Sequence, residues 1–121
     1  MAWRIIVLEP ALSWLRELRK TDRSTAQQVG AALTVLAEEG PGLGRPLVDT
    51  VRGSSLGHLK ELRPGSSGAS EVRLLFIFDP DRNAVVLVAG DKSGQWSAWY
   101  DKAIPVAEQA YEAHLKAREE Q

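Results

Sequence analysis

Cysteine is missing from all 121 residues, which excludes disulfides, thiolate metal centres and a cysteine nucleophile, and fits a reducing cytoplasm. Histidine occurs only at 58 and 114, 56 residues apart and without clustered carboxylates, so no metal site is expected. No apolar run approaches the ~20 residues of a membrane helix. The N-terminal MAWRIIVLEPAL is cut by Glu9 and Pro10 and is too short for a secretory leader, so the chain reads as cytoplasmic, with no membrane partner. Phosphate-cradling P-loops do not occur either. Charge of neither sign dominates: 15 Lys and Arg stand against 16 Asp and Glu, so any basic site must be local.

What is present is an ordinary globular composition, 44% apolar and 26% charged, in a length that suits one domain spanning residues 1 to 121. Residues 41 to 73 carry five cations (45, 52, 60, 63, 73) against three acids (49, 61, 71), whereas 108 to 121 carry two against four. The basic character is therefore concentrated in the middle of the chain.

Periodicity gives the order of elements. WRIIVLE (3 to 9) is apolar on both sides, as in a short strand covered on two faces. Pro10 opens a helix with Leu12, Leu15 and Leu18 on one side and Trp14 adjoining. A second helix is marked by an S-x-x-Q capping box from Ser24 to Gln27 and by Ala26, Val29, Leu33 and Leu36 at helical spacing. Gly40-Pro41-Gly42 ends it, and the short link between the two predicts an antiparallel hairpin lying on a sheet. Residues 41 to 57 read as an irregular connection. Strands follow at 58 to 63, 71 to 79 and from Ala84, the last two joined by the turn DPDRN. A final helix is expected to start at Pro105, with Ala107, Tyr111, His114 and Arg118 along one side. The expectation is an α+β fold: an N-terminal strand, a helical hairpin, a three-stranded antiparallel meander and a C-terminal helix.

The strand 71 to 79 sets Val72, Leu74, Phe76 and Phe78 on one face, toward the hairpin, and Arg73 on the other with Leu75, Ile77 and Asp79. That second face is covered by the terminal helix or by nothing, and an uncovered face can take a partner or substrate. A buried guanidinium without a partner costs several kcal/mol, so Arg73 must reach water, a carboxylate or a ligand. The purely structural alternative is a cross-strand pair with Glu61. If Arg63 faces Glu71, then Glu61 faces Arg73 and Arg63 shares the Arg73 side; a slip by one brings Lys60 and His58 there instead. Either register gathers cations on one face. Farther on, Asp91, Lys92 and Ser93 leave the sheet between Gly90 and Gly94, ahead of Trp96, Trp99 and Tyr100. Core packing accounts for at least one tryptophan, and Tyr100 suits a rim or a functional role. Arg and Lys that hold a phosphate, with Lys, His or Tyr to move protons, suit phosphodiester chemistry without a metal.

Four segments, LKELR (59 to 63), VRLLFIFD (72 to 79), LVAGDKS (87 to 93) and WYDKAIPVAEQAYEAHL (99 to 115), resemble in order and spacing the RelE/ParE toxin superfamily of type II toxin–antitoxin modules. Within it the chain is most similar to the HigB-like, phage-derived Gp49 branch. The resemblance implies a RelE-like fold and a ribosome-dependent, metal-independent mRNA endonuclease that inhibits translation, with no cofactor. It also implies a cognate antitoxin with a helix-turn-helix, through whose complex alone operator DNA is reached. By the same resemblance Arg63 and Arg73 would stabilise the phosphorane charge, and Lys60 would act as base or clamp. Lys92 and Tyr100 would match a late basic residue and a late tyrosine, and His58 is a further proton-transfer candidate. The chain departs from basic relatives in its slightly acidic balance. A ParE-like DNA gyrase inhibitor that cleaves nothing shares the architecture and is the alternative, as is an inactive module member.

Overall fold

The computed structural model describes residues 2–66 and 68–120; Met1, Ser67 of the expected hairpin loop and Gln121 of the expected last helix lie outside the described residues. The elements are β1 (Arg4–Val7), α1 (Ala11–Thr21), α2 (Arg23–Glu39), β2 (Val48–Thr50), β3 (Lys60–Leu62), β4 (Val72–Phe78), β5 (Asn83–Asp91) and α3 (Ser97–Glu119), with a 3₁₀ turn at Gly40–Gly42. They build one five-stranded sheet in the order β1-β5-β4-β3-β2. Strands β2 to β5 form an antiparallel meander, and β1 joins its end parallel to β5.

Side-chain alternation divides the core between the two faces. Val72, Leu74, Phe76 and Phe78 meet α1 and α2 through Ala11, Val29, Ala32 and Leu36, as the strand pattern predicts. Leu75 and Ile77, with Val85 and Leu87, meet Trp99, Ala103 and Ala107 of α3 on the other side. An extra residue in β5 makes a bulge, where Leu75 pairs with Val88 but Phe76 pairs with Val86. β1 contributes Ile5 and Val7 to one core and Ile6 to the other, where Leu8 just after it joins, which explains the unbroken apolar run.

Three expectations are corrected. The segment read as irregular contains β2, a three-residue edge strand paired with β3. The cap of α2 is Asp22, whose carboxylate accepts from the Thr25 N–H at 3.1 Å, rather than Ser24; one residue thus separates the hairpin's helices. Helix α3 begins at Ser97, with Pro105 inside it. The proline lacks the N–H that would reach the Asp101 carbonyl, but this removes a single bond of a helix already anchored by the burial of Trp99 and Ala103. No helix among the described residues is long and apolar enough to cross a membrane.

Candidate functional site

The register left open between β3 and β4 is resolved by burial. Leu62 pairs with Leu74, and both are fully buried on the hairpin side. A slip by one would drive Arg63 into that core, a burial costing several kcal/mol. Arg63, the residue after β3, therefore turns to the α3 side, the side that Arg73 faces from β4. The offset differs by two residues from the pairing of Arg63 with Glu71, but the facing is the same. Lys60, in contrast, pairs with Phe76 and projects on the hairpin face. His58 precedes it, exposed, in the turn two residues before β3. The structure thus separates Lys60 from the two arginines, because alternate strand positions face opposite sides, and leaves His58 in a turn outside the sheet.

Like charges placed across a ladder repel, so Arg63 and Arg73 need carboxylates between and around them. Arg63 Nε donates to Glu61 Oε1 at 2.8 Å and its Nη2 to Asp49 Oδ2 at 3.1 Å. Burial acts to lower the guanidinium pKa, but Glu61 and Asp49 outweigh it and leave it raised. Glu61, 3% exposed, is consumed by Arg63 rather than by Arg73, so the purely structural alternative of an Arg73–Glu61 pair does not form. Arg73 instead donates from Nη1 to the Val72 carbonyl at 2.9 Å and places Nη2 3.8 Å from Glu71 Oε1. Its Nε is buried without a hydrogen-bond partner among the described residues. Arg63 is held by two carboxylates, whereas Arg73 keeps one buried donor unused.

The strand ends complete the site. Asp91, at the end of β5, accepts from the Glu71 and Ser93 N–H groups at 2.9 Å each. Burial pushes its carboxyl up, but these N–H groups and Arg73 hold it below the ordinary aspartate value. The next residue, Lys92, holds its ammonium 5.7 Å from the Tyr100 ring centre and 5.5 Å from that of Trp96. Tyr100 in turn donates its phenol proton to Glu61 Oε2 at 2.5 Å. Burial, and then the Glu61 carboxylate, push the phenol up to about 12. At neutral pH Tyr100 therefore keeps its proton and acts as a donor, not as a base.

Tyr100 owes its place to its neighbour. Trp99 lies so close over Gly90 that a Cβ there would stand 2.7 Å from the indole Nε1. The bare backbone lets the first turn of α3 settle on β5, which turns Tyr100 toward β3. Between this turn and β2 opens a cleft of about 530 Å³ lined by Arg52, Glu61, Tyr100, Asp101, Pro105 and Glu108. Glu108 fixes the far wall by accepting from Ser54 Oγ and the Ser55 N–H at 2.8 Å each. Asp49 and Arg52 escape a sequence reading because they belong to β2 and its loop; the β-branched residues of VDTV are the available signal. Among the described residues no three His, Cys, Asp or Glu side chains gather where they could hold a metal ion.

Comparison with known proteins bears on this arrangement. A family model described as phage-derived protein Gp49-like matches residues 16–112. A Mycobacterium tuberculosis protein named "Putative toxin HigB2" is 55% identical over 108 residues, covering 89% of this chain and 52% of its own length. A second from that organism, "Putative toxin HigB3", is 43% identical over 111 residues and covers 92% of each chain. The chain thus spans about half of the first relative and nearly all of the second. Among solved structures, an arginine-to-alanine mutant of the E. coli toxin RelE in the free state superimposes with a TM-score of 0.61 at 22% identity, over 87% of this chain and 97% of that one. The fold is RelE-like.

Proposed function

Because the chain belongs to the phage-derived Gp49-like family, we propose that it is the toxin of a type II toxin–antitoxin module, an endonuclease that cuts mRNA on the ribosome. The toxin names of its two relatives support the first half of this reading. The observation that carries the second half is the cluster on the α3 face: Glu61 holds both Arg63 and Tyr100, Lys92 stands over the Tyr100 ring, and Arg73 lies on the same face of the neighbouring strand.

That set fits metal-independent transfer. The ribose 2'-oxygen attacks the adjacent phosphorus, the bond from phosphorus to the 5'-oxygen breaks, and the products are a cyclic 2',3'-phosphate and a 5'-hydroxyl. Negative charge builds on the non-bridging oxygens, where Arg73, Arg63 and Lys92 stabilise it. The attacking hydroxyl gives its proton to a base and the leaving oxygen takes one from a donor. Tyr100 gives its one proton to Glu61 and so orients that carboxylate beside Arg63. Glu61 is a positioning residue that holds Arg63 and Tyr100 in one frame. Lys60 and His58 fall outside this set.

Inhibition by a cognate antitoxin, and operator binding only through the complex, belong to the same reading. An acidic segment laid across Arg73 and Lys92 would neutralise the site. Purified protein added to a translating extract should cut the message within codons and leave 5'-hydroxyl ends. Message that stays intact at high protein concentration sinks the reading, and inhibition of DNA supercoiling by protein lacking Arg63, Arg73 and Lys92 would replace it with the gyrase alternative.

A further inference from the structure

Three of the four tryptophans have packing roles. Trp3 meets Phe78 edge-on at 4.9 Å, Trp14 packs on the hairpin core, and Trp99 is buried over Gly90. Trp96 does not. It is 66% exposed, the most exposed of the large apolar side chains among the described residues. It also has φ of 48°, a left-handed conformation that bulky residues seldom adopt. Glycine, which would relax the backbone, occupies the comparable position two residues earlier at Gly94. Local energetics thus argue against a tryptophan here twice, through exposure and through strain, and such outliers gather at functional sites.

The surroundings indicate what it meets. The Lys92 ammonium stands 5.5 Å from the centre of the Trp96 ring and 5.7 Å from that of Tyr100, so one cation bridges the exposed indole to the phenol of the site. Tyr100 continues through Glu61 to Arg63. An exposed flat ring next to phosphate-binding cations is the combination by which proteins hold single-stranded nucleic acid: cations take the backbone and the ring takes a base.

We infer that Trp96 stacks an unpaired nucleobase of the RNA, beside the phosphate held by Arg73 and Lys92. This rests on the endonuclease reading and adds a base subsite to it. Stacking is indifferent to hydrogen-bond pattern, so the subsite favours purines through their larger ring area without selecting one base.

The test uses the full chain in a translating extract, with cut rates and cut positions read by primer extension. Trp96→Ala should cut about 5- to 150-fold more slowly, the range spanned by loss of one base stack, and with altered preference for the flanking base. Trp96→Phe should restore most of the rate and the native pattern. Trp96→Gly separates stacking from support of the fold, since it should melt no lower than the native protein and yet cut as slowly as Trp96→Ala.

Native rate and pattern in Trp96→Ala would overturn the inference while the endonuclease stands, as would a Trp96→Phe variant that is folded but as slow as Trp96→Ala. Variants that cut normally but escape neutralisation by the antitoxin would reassign Trp96 to a protein contact. No cutting by the native protein would remove the endonuclease reading, and the base subsite with it.

Discussion

The phenol of Tyr100 donates to Oε2 of Glu61 at 2.5 Å, joining the first turn of α3 to the middle of β3 across 39 residues of sequence. Glu61 is buried, and its other oxygen holds Arg63, so this one carboxylate keeps a neutral donor and a cation at a fixed separation. Burial and Glu61 raise the phenol from 10.0 to about 12. A raised folded-state pKa means that the stability contributed by the neutral phenol is whole below pH 10 and is lost as pH rises toward 12. Urea midpoints measured across that window, from about pH 9 upward, should therefore fall more steeply for the native protein than for Tyr100→Phe. Parallel curves would show that the bond contributes nothing in solution.

Strand alternation makes the lysine and the arginines separable. Lys60 lies on the hairpin face and Arg63 and Arg73 on the α3 face. Replacing Arg73 by Ala should slow message cleavage by about 10²- to 10³-fold, the usual loss for one donor to a developing negative charge. Lys60→Ala should stay within a few-fold of native. Equal losses in the two variants, with unchanged melting, would place Lys60 back in the site.

Gly90 offers a way to disturb the site from beneath. A methyl group there would press on Trp99 at 2.7 Å, and the indole, sandwiched between β5 and α3, has little room to retreat. Overpacking of this kind typically costs about 1–3 kcal/mol. Gly90→Ala should lower the thermal midpoint and also slow cleavage more than a variant of equal instability in the hairpin core, such as Val29→Ala, because Tyr100 follows Trp99 in sequence. Rates that track stability alone in the two variants would mean that Trp99 does not set the position of Tyr100.

The regular parts of this architecture are legible in the sequence because they repeat. The two-residue period of Val72, Leu74, Phe76 and Phe78 settles which way Arg73 points, and the double-sided run from Trp3 to Leu8 marks a covered strand. What stays hidden depends on single contacts between distant segments. Nothing local distinguishes Asp22 from Ser24 as a cap; the hairpin geometry decides, and Thr25 then buries its hydroxyl against Asp22 at 2.6 Å. Pro105 reads as a helix start because proline favours first turns, yet Trp99 burying itself on Gly90 starts α3 two turns earlier. Three residues of β2 are too few to show a period, so no pattern assigns Asp49 to Arg63. The cations are legible, and the carboxylates that arrange them are not.

Outside the site, the β4–β5 turn is tied to α3 by one buried carboxylate. Asp79 accepts from the N–H groups of Asp81 and Asn83 at 2.9 Å each and from Asn83 Nδ2 at 2.8 Å, with His114 Nε2 at 3.4 Å. Arg118 adds a two-donor pair with Asp81, at 3.0 and 2.6 Å. Burial alone would raise the Asp79 carboxyl, but its donors prevail and hold it below the ordinary value of 3.8. A depressed carboxyl contributes stability above its unfolded value, lost as pH falls through the folded one. Asp79→Asn, which keeps the shape but cannot accept from every donor, should cost about 1–3 kcal/mol at neutral pH. That gap should narrow as pH falls below 3.8, where the carboxyl of the unfolded chain takes up a proton while the native one still resists it. Urea titrations of both proteins at about pH 7 and about pH 3 measure it directly. A gap that stays constant would mean that the carboxylate charge does not hold the turn, leaving the loss to packing around Asn83 and His114.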